Sequence, residues 1–336
     1  MNVLITSVGR RSYLVKYFKE ALNGEGFVHV SNSSDITPAF NVADYSIVTP
    51  LIYDDNYIPF LLRYCKDNNI NILISLFDID LYILALHKKE FEEIGTNVIV
   101  SEADFIKICN DKWLTYQYLR DKSFNVPATY LFLEDVVLNI NDGNLNYPVV
   151  VKPRWGMGSL SIYIANNEEE LRIFYNKIKE EIQNSYMRYE SKNDLDNSVI
   201  IQEMINGQEY GMDIINDLNG NFKNTIVRKK YAMRSGETDC AEIVDSKILS
   251  EIGEKLGKIT GHIANLDVDV FYDGNKVFIL EMNARFGGGY PFSHLSGVNL
   301  PLAIVKWCKG EKVNKSILSV ENYILGHKDI EIVKLK

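Results

Sequence analysis

Short apolar runs and helically spaced apolar residues alternate through the first hundred positions. Val3-Leu4-Ile5-Thr6 reads as a strand, and Tyr13, Leu14, Tyr17, Phe18, Ala21 and Leu22 then return every three or four residues, the spacing of one helix face. The same alternation predicts strands at 27–30, 45–48, 72–75 and 98–100, with helices over 57–66 and 81–91. Strands separated by helices pair in parallel and need cover on both faces. Residues 1–105 are therefore expected to form an α/β Rossmann-like domain.

The pattern changes from residue 106. A helix over 113–122 precedes the apolar run Val149-Val150-Val151-Lys152-Pro153, and a strongly charged helix is expected over 168–182. The polar stretch 185–197 reads as a mobile loop. Strand-like runs follow at 199–202, 210–215, 222–228, 267–272 and 276–282. Asp217-Leu218-Asn219-Gly220-Asn221 and Asp273-Gly274-Asn275 predict hairpins between them, because Asn, Asp and Gly tolerate the positive φ of tight turns. Residues 106–336 are expected to be an antiparallel-rich α+β domain.

Length and composition narrow the function classes. A chain of 336 residues suits two units, and 46% hydrophobic with 24% charged residues is enough for a sizeable core. A net charge of -9 argues against nucleic acid as the main partner. Cys65, Cys109, Cys240 and Cys308 lie far apart with no CxxC pair, which predicts reduced thiols and neither a zinc site nor a disulfide framework. The first residues lack the charged start and longer apolar stretch of a signal peptide, and no run approaches the ~20 apolar residues of a membrane span. A cytoplasmic protein without membrane contact is expected.

Three segments carry candidate chemistry. In the run ending Leu280-Glu281-Met282-Asn283-Ala284-Arg285, alternate side chains share a face. A carboxylate, an amide oxygen and a guanidinium would then sit side by side. Hard oxygen ligands of this kind suit magnesium shared with nucleotide phosphates, and Arg285 would steady a transferring phosphoryl group. Pairing through the turn at 273–275 brings Asp269 in as a third oxygen, although a solvated polar strand face would look the same. In the second segment, Lys152 closes an apolar strand just before Gly156-Met157-Gly158-Ser159. An ammonium beside flexible glycines suits phosphate, but it is not a Walker P-loop, because the lysine precedes the glycines. The third segment is Ile200-Ile201-Gln202-Glu203-Met204-Ile205-Asn206-Gly207-Gln208-Glu209. Its linker backbone could meet an adenine edge, and Glu209 could accept from ribose hydroxyls.

In order and spacing these segments resemble the ATP-grasp superfamily, and within it the relatives of the carbamoyl-phosphate synthase large subunit. Asp111-Lys112-Trp113 with Pro127-Ala128-Thr129 is similar to the family's entry segment, with Lys112 as the first phosphate lysine and Lys152 as the second. The resemblance implies that Gly156, Gly158 and Ser159 belong to a mobile loop over the phosphates. It puts Gln202, Glu203, Met204 and Ile205 on the adenine hinge and Glu209 on the ribose. Asp269, Glu281 and Asn283 fall on the magnesium positions, where manganese could substitute, and Arg285 falls beside the reacting phosphate. It further implies a small nucleotide-covering part within 106–205, a metal- and substrate-binding part over 206–336, and a pre-ATP-grasp domain at 1–105. Two departures stand out: Asn283-Ala284-Arg285 replaces the usual Asn-Pro-Arg, and Asp269 is a shorter arm than the usual Gln or Glu. One ATP-grasp half without a glutaminase argues against carbamoyl-phosphate synthesis itself.

The implied activity is ATP- and Mg-dependent ligation of a small carboxylate to an amine through an acyl phosphate, and the resemblance admits a homodimer. A kinase making a phosphorylated metabolite and a catalytically silent nucleotide-binding subunit are the alternatives. For substrate, Arg228 and Arg234 resemble acyl-substrate contacts in related ligases, and with Lys230 they form a basic run. Gly288, within Gly287-Gly288-Gly289, could offer N–H groups to a carboxylate. In the first domain, Arg10 and Arg11 sit at the start of a helix that favours an anion, yet the segment lacks the Gly-x-Gly-x-x-Gly dinucleotide fingerprint.

Overall fold

The computed structural model describes residues 1–158 and 160–335. Among these the chain forms three sheets. The first joins β1 (Asn2–Thr6), β2 (Val28–Asn32), β3 (Tyr45–Val48), β4 (Ile70–Ser75) and β5 (Asn97–Val98) in the order β3-β2-β1-β4-β5. Every pairing in it is parallel, as strands separated by helices require. The second holds β6 (Thr129–Tyr130), β7 (Val149–Pro153), β8 (Tyr163–Ala165) and β9 (Val199–Glu203) in the antiparallel order β6-β9-β7-β8. The third and largest comprises β10 (Gln208–Asn216), β11 (Phe222–Arg234), β12 (Glu237–Val244), β13 (Asn265–Tyr272), β14 (Val277–Asn283) and β15 (Leu325–His327), ordered β14-β13-β10-β11-β12-β15 and antiparallel throughout.

Two expectations need correction. The helix read over 81–91 is two helices, Asp78–Leu86 and Lys88–Glu93, separated at His87. The break leaves Leu81, Leu84 and Phe91 buried, so the apolar spacing is the same as for one helix. The stretch 185–197 contains the short helix Met187–Ser191, with Met187 and Ser191 buried. One apolar anchor in a polar sequence produces no periodic signal.

The packing separates two bodies. Apolar side chains of the parallel sheet, such as Leu4 and Leu73, share one core with Met212, Leu266 and Val268 of the largest sheet. The helix Ala103–Asn110 joins that core through Phe105, Ile106 and Cys109 and spans the domain boundary expected at 105. The second sheet has its own core, with Val149, Val151, Leu171, Ile178 and Ile201. It therefore covers the rest of the molecule as a distinct unit.

Candidate active site

Side chains alternate along strands, so one face of the largest sheet collects every second residue of β10, β11, β13 and β14. The register sets Gly211 opposite both Arg228 and Asp269, Asp269 opposite Glu281, and Asp267 opposite Asn283. Gly211 is needed there, since a Cβ would lie 2.9 Å from Arg228 Nη2 and 3.2 Å from Lys230 Cε. Above this face, under the end of β7, is a cleft of about 660 Å³. Lys112, Lys152, Gly156, Gly158, Glu209, Asp269, Glu281, Asn283, Arg285 and Gly288 all line it.

The cations are individually held. Lys112 Nζ donates to Gly156 O at 2.6 Å, and Lys152 Nζ to Gln202 Oε1 at 2.8 Å. Gln202 is thereby a buried support for Lys152, oriented in turn by its own bond to Thr129 Oγ1 (2.9 Å). Burial, reinforced by Lys112, pushes the Lys152 ammonium down to about 8 although Glu281 opposes this. Burial would raise the Glu281 carboxyl, but Lys112, Lys152, Lys230 and Arg285 outweigh it and keep it below its ordinary value. Arg285 is fixed between Asp267 Oδ2 (2.9 Å) and Asp78 Oδ2 (3.2 Å).

Residues 145–291 match the family described as the ATP-grasp domain, and residues 3–99 match the PylC-like, N-terminal domain. The chain carries an ATP-grasp domain. The carbamoyl phosphate synthase large chain of Campylobacter jejuni is 25% identical over 228 residues, which is 65% of this chain and 20% of that protein. The chain thus spans about a fifth of the length of that curated relative. A biotin carboxylase structure from Campylobacter jejuni superposes with TM-score 0.72 at 17% identity, covering 95% of this chain and 73% of that one. An L-amino acid ligase from Bacillus licheniformis gives 0.64 at 17% identity, covering 90% and 73%. At these identities the likeness is one of fold.

The ATP-grasp face offers oxygen donors. Glu281 and Asn283 line the cleft, and neither side chain hydrogen-bonds another described residue. That free pair of hard oxygens fits magnesium. Asp269 differs, because its carboxylate is taken by Lys230 Nζ at 2.6 Å, which also reaches Glu209 Oε1 at 2.8 Å. Burial, with Asp267 and Glu281 adding to it, raises Asp269 to about 6 in spite of Lys230. Asp269 is therefore a salt-bridged neighbour and not a ready third ligand. Among the described residues no cluster of three His, Cys, Asp or Glu side chains is placed to hold a metal.

Several expected contacts lie elsewhere. Arg228 is 1% exposed, bridges Asp213 and Asp267 (3.0 Å to Asp267 Oδ1), and is not among the residues lining the cleft. Arg234 is half exposed and pairs with Asp239 at 2.7 Å across the β11–β12 hairpin, outside the cleft. Glu203 accepts from Ala128 N at 3.1 Å, Met204 is exposed, and neither they nor Ile205 line the cleft wall. Ser159 lies outside the described residues.

Arg11 and Lys230, both picked out as candidate anion contacts, line the cleft, and it also contains three residues absent from the expected set: Asp78, Glu237 and Asp267. Asp267 was reachable by the period of two from Asp269. Asp78 and Glu237 come from other parts of the chain, and their sequence surroundings give no signal.

Proposed function

We propose that the chain is an ATP- and magnesium-dependent ligase that activates a small carboxylate as an acyl phosphate for attack by an amine. The observation carrying this is a single cleft lined by Lys112, Lys152, Glu281, Asn283 and Arg285, residues spread over more than half the chain. Residues 1–105 would serve as the preceding domain and 106–336 as the ATP-grasp domain. No helix among the described residues is long and apolar enough to cross a membrane, and the described cysteines are free. Both facts support the cytoplasm as the setting.

In this reading Lys112 and Lys152 hold the nucleotide phosphates, and Gly156 and Gly158 bring main-chain N–H groups close to them. Glu209, which lines the cleft, accepts from the ribose, and Gln202 acts from beneath by holding Lys152. Glu281 and Asn283 would hold magnesium, which supplies positive charge to the phosphate oxygens. A carboxylate oxygen of the acid attacks the γ-phosphorus, and the bond to the β–γ bridging oxygen breaks to release ADP. The amine nitrogen then attacks the acyl carbon, phosphate leaves, and the nitrogen loses a proton. Arg285, pinned by Asp267 and Asp78, faces the charge that develops on the phosphoryl oxygens. Phosphoryl transfer needs alignment and neutralisation more than covalent help, and among the described residues lining the cleft there is neither a histidine nor a cysteine.

The test is magnesium-dependent ADP release over paired carboxylates and amines. A ligase accumulates ADP steadily only when both are present. Steady ADP with a phosphorylated acid and no amine requirement would make it a kinase, and ATP binding without turnover across the panel would remove the ligase reading.

A further inference from the structure

Tyr53 lies in the first domain, between β3 and the helix Tyr57–Asp67, yet its partners belong to the small antiparallel unit. Its ring stacks on Tyr189 with centroids 4.4 Å apart, and its hydroxyl donates to Glu190 Oε1 at 2.7 Å. Both partners sit on the helix Met187–Ser191.

That helix packs against the glycine loop. Met187 is 2% exposed, and its Sδ would lie 2.9 Å from a Cβ on Gly156. Asp194, just past the helix, accepts from Arg154 Nη1 at 2.8 Å, where the loop begins. The Tyr186 hydroxyl, just before the helix, is buried without a hydrogen-bond partner among the described residues. Its surroundings include Asp78, Glu190 and the Met157 main chain. Tyr186 and Glu190 also line a chamber of about 20 Å³ together with Lys112, Glu281 and Asn283. The helix thus joins a tyrosine of the first domain to the walls of the cleft's phosphate end.

We propose that Tyr53 is a positioning residue: it clamps the helix Met187–Ser191 and so seats the glycine loop over the nucleotide phosphates. The nucleotide part rests on the ligase reading, whereas the clamp does not. The small unit has its own core, so its apolar packing does not fix it against the first domain. Tyr53 and Tyr189 are each 40% exposed, and a contact so open to water adds little to global stability. What it sets is the fraction of molecules with the loop seated, and apparent ligand affinity scales with that fraction. Lys112 depends on the same seating, because its Nζ is held by Gly156 O at 2.6 Å. Tyr53 itself does not line the cleft, so it acts only through the helix.

The experiment follows amide hydrogen exchange at residues 155–158 in the nucleotide-free full chain. In parallel, a non-hydrolysable ATP analogue with magnesium is titrated calorimetrically. Tyr53→Ala should speed exchange at 155–158 and weaken the analogue, each about tenfold. The melting temperature and exchange in the parallel sheet should not change. Tyr53→Phe keeps the ring stack and loses the hydrogen bond, so its effects should fall between. Glu190→Gln still offers the hydroxyl an acceptor and should stay near wild type. Glu190→Ala should match Tyr53→Phe, and the two combined should be no worse than either alone. Unchanged exchange in Tyr53→Ala, unchanged affinity despite faster exchange, or additive losses in the double variant would each overturn the proposal. If the wild-type protein does not take up the analogue at all, the ligase reading fails, and the exchange result still decides the clamp.

Discussion

Lys152 shows at the scale of one residue how function opposes stability. Its ammonium lies 8% exposed at the end of β7, with Gln202 Oε1 as hydrogen-bond partner. Burial and Lys112 bring it down to about 8 from the ordinary lysine range. A lysine whose folded value is depressed favours the neutral form on folding, so below pH 8, where it is charged in both states, the native state bears the full penalty. That penalty is relieved as pH rises from 8 toward the unfolded lysine value. The cost is on the order of 3 kcal/mol, and a nucleotide phosphate would offset it. Lys152→Met should therefore lose about a hundredfold or more in ADP release yet melt no lower than wild type at pH 7. The stability difference between them should narrow as pH is raised above 8. A clear destabilisation of the Met variant at pH 7 would mean that the lysine is structural.

Strands were more legible than helices, and the reason is physical. A run such as Val149–Pro153, buried between neighbours, is apolar in any arrangement, and its bounds were read directly. The helix Lys247–Thr260 was not, although it buries Leu249 and Leu256. Its other buried positions are Gly253 and Gly257, which lie against Thr225 and Phe222, and glycines carry no hydrophobic signal. Glu281 and Asn283 could be assigned to one face because they share a strand, whereas Arg11 and Asp78 reach the cleft only through the packing of one sheet on another. The same limit misassigned Arg228. Its strand position was clear, but its pairing with Asp213 of β10 and Asp267 of β13 depends on strand order, which is not local. Removing one member of such a buried set strands the others. Arg228→Met should cost about 3–5 kcal/mol, measured as a lower urea midpoint at unchanged slope. Adding Asp213→Leu should recover part of that loss, because Asp267 keeps its bond to Arg285 (2.9 Å). Additive losses in the double variant would contradict a shared network.

For the molecule as a whole, the question is what holds the small antiparallel unit over the cleft. Its own core leaves it free to act as one body, and polar links span the gap. Arg154 grips Asp111 through two bonds of 2.8 and 2.7 Å, and Glu190 accepts from Tyr53 of the first domain at 2.7 Å. Two glycines also face each other across the gap. At Gly236, the tip of the β11–β12 hairpin, a Cβ would lie 2.4 Å from the carbonyl of Gly158 in the glycine loop, and its φ of 76° already favours glycine. Hairpin and loop can meet across the cleft mouth only if residue 236 has no side chain. An acyl phosphate hydrolyses where water reaches it, so under the proposed ligase reading this contact would shield the intermediate. Gly236→Ala should hold the loop away from the hairpin, adding about 1 kcal/mol of local strain and little change in melting. Under the ligase reading the signature is uncoupling: ADP release continues while ligated product falls several-fold behind it, where wild type makes one product per ADP. Product and ADP falling together would place the defect in nucleotide binding and refute the seal.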